Sequence, residues 1–574
     1  MIALLAVGVV TLGGLGLGLF GVRLARSTSD VFVASRAISP WWNAAAISGE
    51  YLSAASFLGI AGLQMKIGAS ALWLPVGFAA GYLALLLFVA APLRRFGAYT
   101  IPDFAEARLE ARWMRVVGSL MVLVIGGFYL VPQLKGAGLT LGVVTGAPYW
   151  IGVAIVAVVV TVVVAFGGMR GITYVQAYQY WVKTFAILLP ACLLLIHLGG
   201  LPARAALFGA ELPTAPPGGL VVQLDEATSV EFPAAARYVI DGRAFRAPAG
   251  AERTLPAGEL RLAAGTVVPV ADDIPASAGR DWSRPVAAHG RASPVFVFSL
   301  LLATVLGTMG LPHILVRFYT NRDGPAARRT TVRVLGLLGL FYLFPVVYGL
   351  LGRVLVPELY ITGATDEVVL RLPEAAWPGL GGELLGAVTA AGAFAAFLST
   401  ASGLLISLAG TVSYDLWERV GRQRAPEPAD RVRRFRRAAP VVVALPALLA
   451  LLARDIDISV LVGWAFALAA STFCPLFVLG IWWTGITARG AAAGMATGAL
   501  TASAAILAGL MLDPAAGSAT EALLTQPAAI SVPLAFATMV LVSRRDRHKP
   551  QRVREHMRAL HVPEALGLEP TRRA

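Results

Sequence analysis

AAAISGEYLSAASFLGIAG, residues 44–62, and AAGAFAAFLSTASGLLIS, residues 390–407, are each apolar enough to cross a bilayer, yet both carry glycines and hydroxyls in mid-stretch. A hydroxyl or a backbone break within hydrocarbon is costly unless it meets a partner, so such groups face a bundle interior or a polar cavity. Close-spaced neutral oxygens are what a small hard cation takes as ligands. The pair of stretches therefore points to a membrane transporter with an ion site between two helices.

The rest of the chain agrees. Its 574 residues are 57% hydrophobic and only 14% charged, with mean hydropathy +0.72, far too apolar for a soluble protein. Apolar runs of the ~20 residues that span a bilayer recur from end to end. The expected fold is an all-α polytopic membrane protein of about thirteen transmembrane helices, at 2–22, 41–62, 70–93, 116–140, 147–168, 176–198, 293–316, 333–354, 382–412, 438–453, 459–484, 490–511 and 529–543. The net charge of +14 does not indicate nucleic acid. Its arginines gather in short connections (94–115, 317–333, 419–437 and from Arg544), the positive-inside pattern. Alternation then puts the N-terminus outside and the C-terminus in the cytoplasm. The first apolar run lacks a basic leader and its arginines, Arg23 and Arg26, follow it, so it reads as a retained span. Cys192 and Cys474 both fall in spans and read as small core hydrophobes. The basic tract 425–437 reads as an exposed linker, and the tail as polar and partly helical.

Residues 199–292 break the pattern. They hold no span, nearly balance arginine against acidic residues, and show short alternating runs such as GLVVQLDEATSVEF and ARYVIDGRAF. Alternation punctuated by turn residues predicts a small β-rich extracellular insertion. The chain divides into a first span and linker (1–40), a first repeat (41–198), the insertion (199–292), a second repeat (293–484), two further helices (485–543) and a tail (544–574).

With the leading span set aside, the core counts as five helices and then five. The first helix of each half is interrupted: by Ser48-Gly49 and Ser53 in one, by Gly307, Gly310 and Pro312 in the other. Matching interrupted helices mark the binding centre of inverted-repeat transporters. Ser399 and Thr400, with Ala396 one turn before, face an opened helix near Gly49–Leu52, and together these supply about five oxygens. The alternative is that the hydroxyls bond back to their own helix and assist packing.

The strings EYLSAASFLGIAG (50–62), FGAYTIPDFAEARL (96–109), FGGMRGITYVQ (166–176), GTMGLPHILVRFYTNRDGPAARRTTV (307–332) and FLSTASGLL (397–405) resemble the solute:sodium symporter family. GLPHILVRFYT points particularly to its bacterial cation/acetate permeases. The resemblance covers nearly all the membrane portion. It implies a five-plus-five, LeuT-like inverted-repeat core, alternating access and Na+ as coupling ion. It places sodium on the carbonyls of Gly49, Leu52 and Ala396 and the hydroxyls of Ser399 and Thr400, and substrate beside Ser53, Ser56, Gln133, Thr308 and Phe466. Gln176 stands where several members carry an acid, which weakens any second sodium site.

Three charged or titratable residues at membrane depth need partners or water, since an isolated charge at a helix centre costs about 2.5–3.5 kcal/mol. Glu50 either takes up protons or pairs with a base. Lys135 either attracts a substrate carboxylate or is ion-paired, and His313 is either a proton relay or a hydrogen-bonded structural histidine. The expected activity is sodium-coupled uptake of a small organic anion, acetate-like acids first, across a bacterial inner membrane. Proline, pyruvate or propionate as cargo, proton coupling, and a transport-inactive sensor are the alternatives. No paired carboxylates, metal cluster or nucleophile–base set stands out, so an enzyme is disfavoured. The expected partners are the solute and membrane lipid.

Overall fold

A computed structural model describes residues 1–22, 39–98, 100–199, 211–272, 274–287, 290–318, 321, 324–420, 428–512, 514 and 517–562. Arg23, Arg26, the start of the 425–437 tract and the end of the tail lie outside them. The apolar periods become helices as the hydropathy requires. Those that matter here are α1 (Ile2–Val22), α2 (Pro40–Tyr51), α3 (Ile60–Ile67), α4 (Trp73–Leu85), α5 (Trp113–Thr145), α6 (Tyr149–His197), α7 (Ser293–Thr308), α8 (Pro312–Phe318), α9 (Gly324–Tyr342), α10 (Leu380–Gly410), α11 (Pro428–Leu452), α12 (Ile458–Trp482), α13 (Ala488–Met511), α14 (Ala528–Arg545) and α15 (Val553–His561). Among the described residues eleven helices are long and apolar enough to cross a membrane, and Ile2–Gly18 is a shorter apolar helix.

The expected span 333–354 is split by a turn at Leu343–Phe344, between α9 and a helix over Pro345–Leu355, and two more are not single helices. Residues 41–62 divide into α2 and α3, and 293–316 into α7 and α8. The interrupted segments identified in the sequence are thus the two broken helices. Conversely, the spans expected at 147–168 and 176–198 run as one continuous helix, α6. α10 and α12 are enclosed nearly all round, whereas α11, α13 and α14 turn most of their apolar surface outward. That division suits a core wrapped by lipid-facing helices.

The basic tract is corrected in part. Its described residues, from Pro428 onward, are the first turns of α11 rather than a linker, and Phe435 is buried. The tail is also docked. Glu110 accepts from the amides of Gln551 and Arg552 at 2.9 and 2.6 Å, and Leu560 of α15 is fully buried.

The insertion is built from seven strands in two antiparallel sheets, of order β1-β6-β3-β4 and β5-β2-β7. These are β1 (Leu220–Leu224), β2 (Thr228–Phe232), β3 (Ala236–Ile240), β4 (Arg243–Ala247), β5 (Ala251–Leu255), β6 (Gly258–Leu262) and β7 (Val270–Ala271). Burial alternates along β1, as one inward face demands. Asp241 and Gly242 close the β3–β4 hairpin with φ of 46° and 79°, the positive pair that a two-residue turn needs to match strand twist. The insertion rests on the bundle end that holds the α3–α4 connection. Trp73 Nε1 donates to the Pro285 carbonyl at 2.6 Å, and Arg353 reaches the carbonyls of Glu211 and Ser277 at 3.0 and 2.9 Å.

Candidate ion and substrate site

α2 stops at Tyr51. Leu52 leaves the helical region at φ −71°, ψ 85°, and the chain re-enters helix through a π-turn, Ala55–Gly59, that leads into α3. Gly49 backs onto the Gln176 carbonyl of α6, where a Cβ would overlap main chain, so the approach of the two helices requires glycine. A broken helix leaves amide groups that must find other partners. The Ala54 N–H donates to Gln133 Oε1 at 2.9 Å. The Glu50 carbonyl accepts from Thr400 Oγ1 at 2.6 Å.

The Gly49 and Leu52 carbonyls both accept from one group, the ammonium of Lys183, at 2.6 Å in the case of Leu52. The same ammonium donates to Ser399 Oγ at 2.8 Å. Ser399 Oγ in turn donates to the Ala396 carbonyl at 2.9 Å. The structure therefore gathers Gly49, Leu52, Ala396, Ser399 and Thr400 around one spot between α2 and α10. Thr400 reaches across to the broken helix, whereas Ser399 bonds back to its own helix, three residues earlier, while also accepting from Lys183. At the centre, however, stands a fully buried lysine from α6.

These residues, so arranged, do not fit a sodium ion. A cation ligated by the carbonyls of Gly49 and Leu52 and the hydroxyl of Ser399 would lie on top of Lys183 Nζ. Sequence reasoning missed this lysine, although the rule that drew attention to Glu50 and Lys135, a charge within a span, applies equally to YWVKTFAILL.

One turn toward the other face, Glu50 Oε2 accepts from Arg317 Nε at 2.5 Å, with both side chains buried. Arg317 also donates to Thr173 Oγ1 at 2.9 Å and to Gln176 Oε1. Gln176 Nε2 continues the chain to the Ser399 carbonyl at 2.8 Å. Glu50 is accordingly a paired charge, and Gln176 a bridge between the arginine and α10. The placement of Arg317 in a cytoplasmic basic stretch is corrected: the side chain turns inward from the end of α8.

Lys135 is held by the Ile456 carbonyl and lies 3.9 Å from Asp366 Oδ2, the ion-paired alternative. His313 is buried with neither ring nitrogen hydrogen-bonded. Its ring lies 5.2 Å from that of Tyr129. The expectation of a hydrogen-bonded structural histidine does not hold: the ring packs beside Tyr129 with both nitrogens unpartnered.

The second break lies at Met309–Leu311, where Gly310 N–H turns back to the Gly307 carbonyl at 2.8 Å. Both glycines back onto α12 main chain, Gly307 against Phe466 and Gly310 against Ala469. The two breaks meet. Thr308 Oγ1 lies 2.9 Å from the hydroxyl of Tyr51, the last residue of α2. Around that contact, Phe466 packs on Phe78 at 4.9 Å between ring centres and on Tyr129 at 5.7 Å, and Tyr51 meets Tyr82 at 4.5 Å. Ser56 Oγ is 3.3 Å from the Tyr342 hydroxyl, and Ser53 is buried just before the π-turn that carries Ser56. Ser56, Thr308 and Phe466 thus border one aromatic cluster. Gln133 sits beside it as the acceptor for the broken helix. The sequence analysis took Phe466 alone of the rings; five others, Tyr51, Phe78, Tyr82, Tyr129 and Tyr342, complete the cluster.

Comparison with known proteins bears on the fold and the family. The model of the sodium:solute symporter family matches residues 31–224 and 262–498. The gap between the two matched segments falls within the β insertion. A protein of Bacillus subtilis (strain 168) described as the uncharacterized symporter YwcA is 32% identical over 522 residues, covering 90% of this chain and 89% of its own. Among solved structures, a Na+-coupled sialic acid symporter in a substrate-bound outward-open state superposes with a TM-score of 0.63 at 13% identity, covering 96% of this chain and 99% of that one. A LeuT-like fold with two broken helices, a family match over most of its length and a curated symporter as relative lead to one conclusion: the chain belongs to the sodium:solute symporter family.

Proposed function

We propose that this symporter takes up a small monocarboxylate, acetate-like acids first, by alternating access. Symport is the family's activity and sodium its coupling ion; the cargo is our own reading. The observation that carries it is the meeting of the two breaks at Tyr51 and Thr308, 2.9 Å apart. Small hydroxyls there are ringed by aromatic side chains, the mix of apolar walls and a few placed polar groups that small-solute sites use. The resemblance of residues 310–320 to acetate-type permeases supports the same class. The breaks serve as hinges, since backbone without continuous helical bonding absorbs rotation at low cost. We place the protein in a bacterial inner membrane, N-terminus outside, with the β insertion on the outer face.

Purified protein in liposomes is expected to take up labelled acetate, with excess propionate and pyruvate competing and proline leaving uptake unchanged. Competition by proline, with none by short carboxylic acids, would refute the cargo.

A further inference from the structure

We infer that the Lys183 ammonium is the resident cation of the cradle formed by Gly49, Leu52 and Ser399, and that sodium does not bind to these oxygens while this side chain is present. The inference concerns the ion position of the proposed transport site, but it rests on the cradle geometry and not on the choice of cargo.

An ammonium has three protons, and Lys183 Nζ has three acceptors: two main-chain carbonyls released by the break after Tyr51 and one hydroxyl of α10. Donor and acceptor numbers match. The side chain is fully buried and comes from α6, so it pins the broken helix and α10 to a third element. The two α10 hydroxyls are also committed as donors. Ser399 Oγ donates to Ala396, and Thr400 Oγ1 donates to the Glu50 carbonyl. Glu50 is engaged by Arg317 through Oε2, while its Oε1 has no hydrogen-bond partner. A sodium ion ligated by these three oxygens would have to occupy the position that Lys183 Nζ already fills.

The tethered ammonium does mechanically what a bound ion would do there: it bridges the opened helix to α10. It differs in never leaving the protein. Whatever sodium moves with solute in this chain therefore binds elsewhere than on these three residues.

The test is direct binding of radioactive sodium to the purified full-length protein in lipid nanodiscs, without solute, so a wrong cargo would not affect the result. In the wild type, Ser399→Ala is expected to leave sodium binding unchanged. Lys183→Met is expected to create a saturable site, or to tighten sodium binding roughly tenfold or more. Adding Ser399→Ala and Thr400→Val to Lys183→Met should remove that gain. Lys183→Ala, which likewise leaves no donor in the cradle, serves if the methionine variant does not fold. Two results would overturn the inference: loss of sodium binding in the wild type on Ser399→Ala, or folded Lys183 variants with sodium binding identical to wild type.

Discussion

Arg317→Met is expected to cost more than any other single substitution in the core, leaving little folded protein in the membrane and no measurable uptake. Arg317 and Glu50 are both enclosed, and the guanidinium also engages Thr173 and Gln176. Removing one member of such a pair leaves the other charge buried and uncompensated, which destabilises by about 3–5 kcal/mol. The effect should be visible as a lowered thermal midpoint in detergent. Glu50→Gln combined with Arg317→Met should recover part of the loss, because the stranded carboxylate is gone. A double variant no better than Arg317→Met would show that the arginine acts through Thr173 and Gln176 instead.

Gly310→Val follows closely and fails for a different reason. A Cβ at Gly310 would run into the Ala469 carbonyl of α12, main chain that no side-chain rotation can move aside. Overpacking a core costs about 1–3 kcal/mol when side chains can adjust; here helices must separate at the second break. Uptake should fall to background while the protein still inserts and purifies. Surface delivery with normal transport would show that the break is not held by this contact.

Much of this was legible in the chain. Hydropathy exposes spans because lipid leaves backbone no alternative to internal hydrogen bonding. Both broken helices were marked in the sequence, the first at Ser53 and the second at Gly310-Pro312; Ser48 and Gly49 are helical, and Gly49 serves the close approach to α6 instead. The β insertion showed itself through alternation, with Asp241-Gly242 at the tightest turn. What escaped depended on contacts far apart in sequence. Lys183 stands near the start of an expected span, where a lysine ordinarily snorkels to the surface. Its three acceptors lie on two other helices and cannot be read from its neighbours. Arg317 was misplaced because it adjoins a basic cluster, and only the turn of α8 shows that it faces inward. The aromatic cluster is drawn from several helices, each contributing rings that in isolation look like ordinary apolar residues.

The most direct test of the account is accumulation of labelled acetate by proteoliposomes carrying an inward sodium gradient. Symport through a centre formed by two broken helices predicts a rise above the external concentration that collapses when the gradient is dissipated. Acetate that merely equilibrates, whether or not the gradient is imposed, would contradict it.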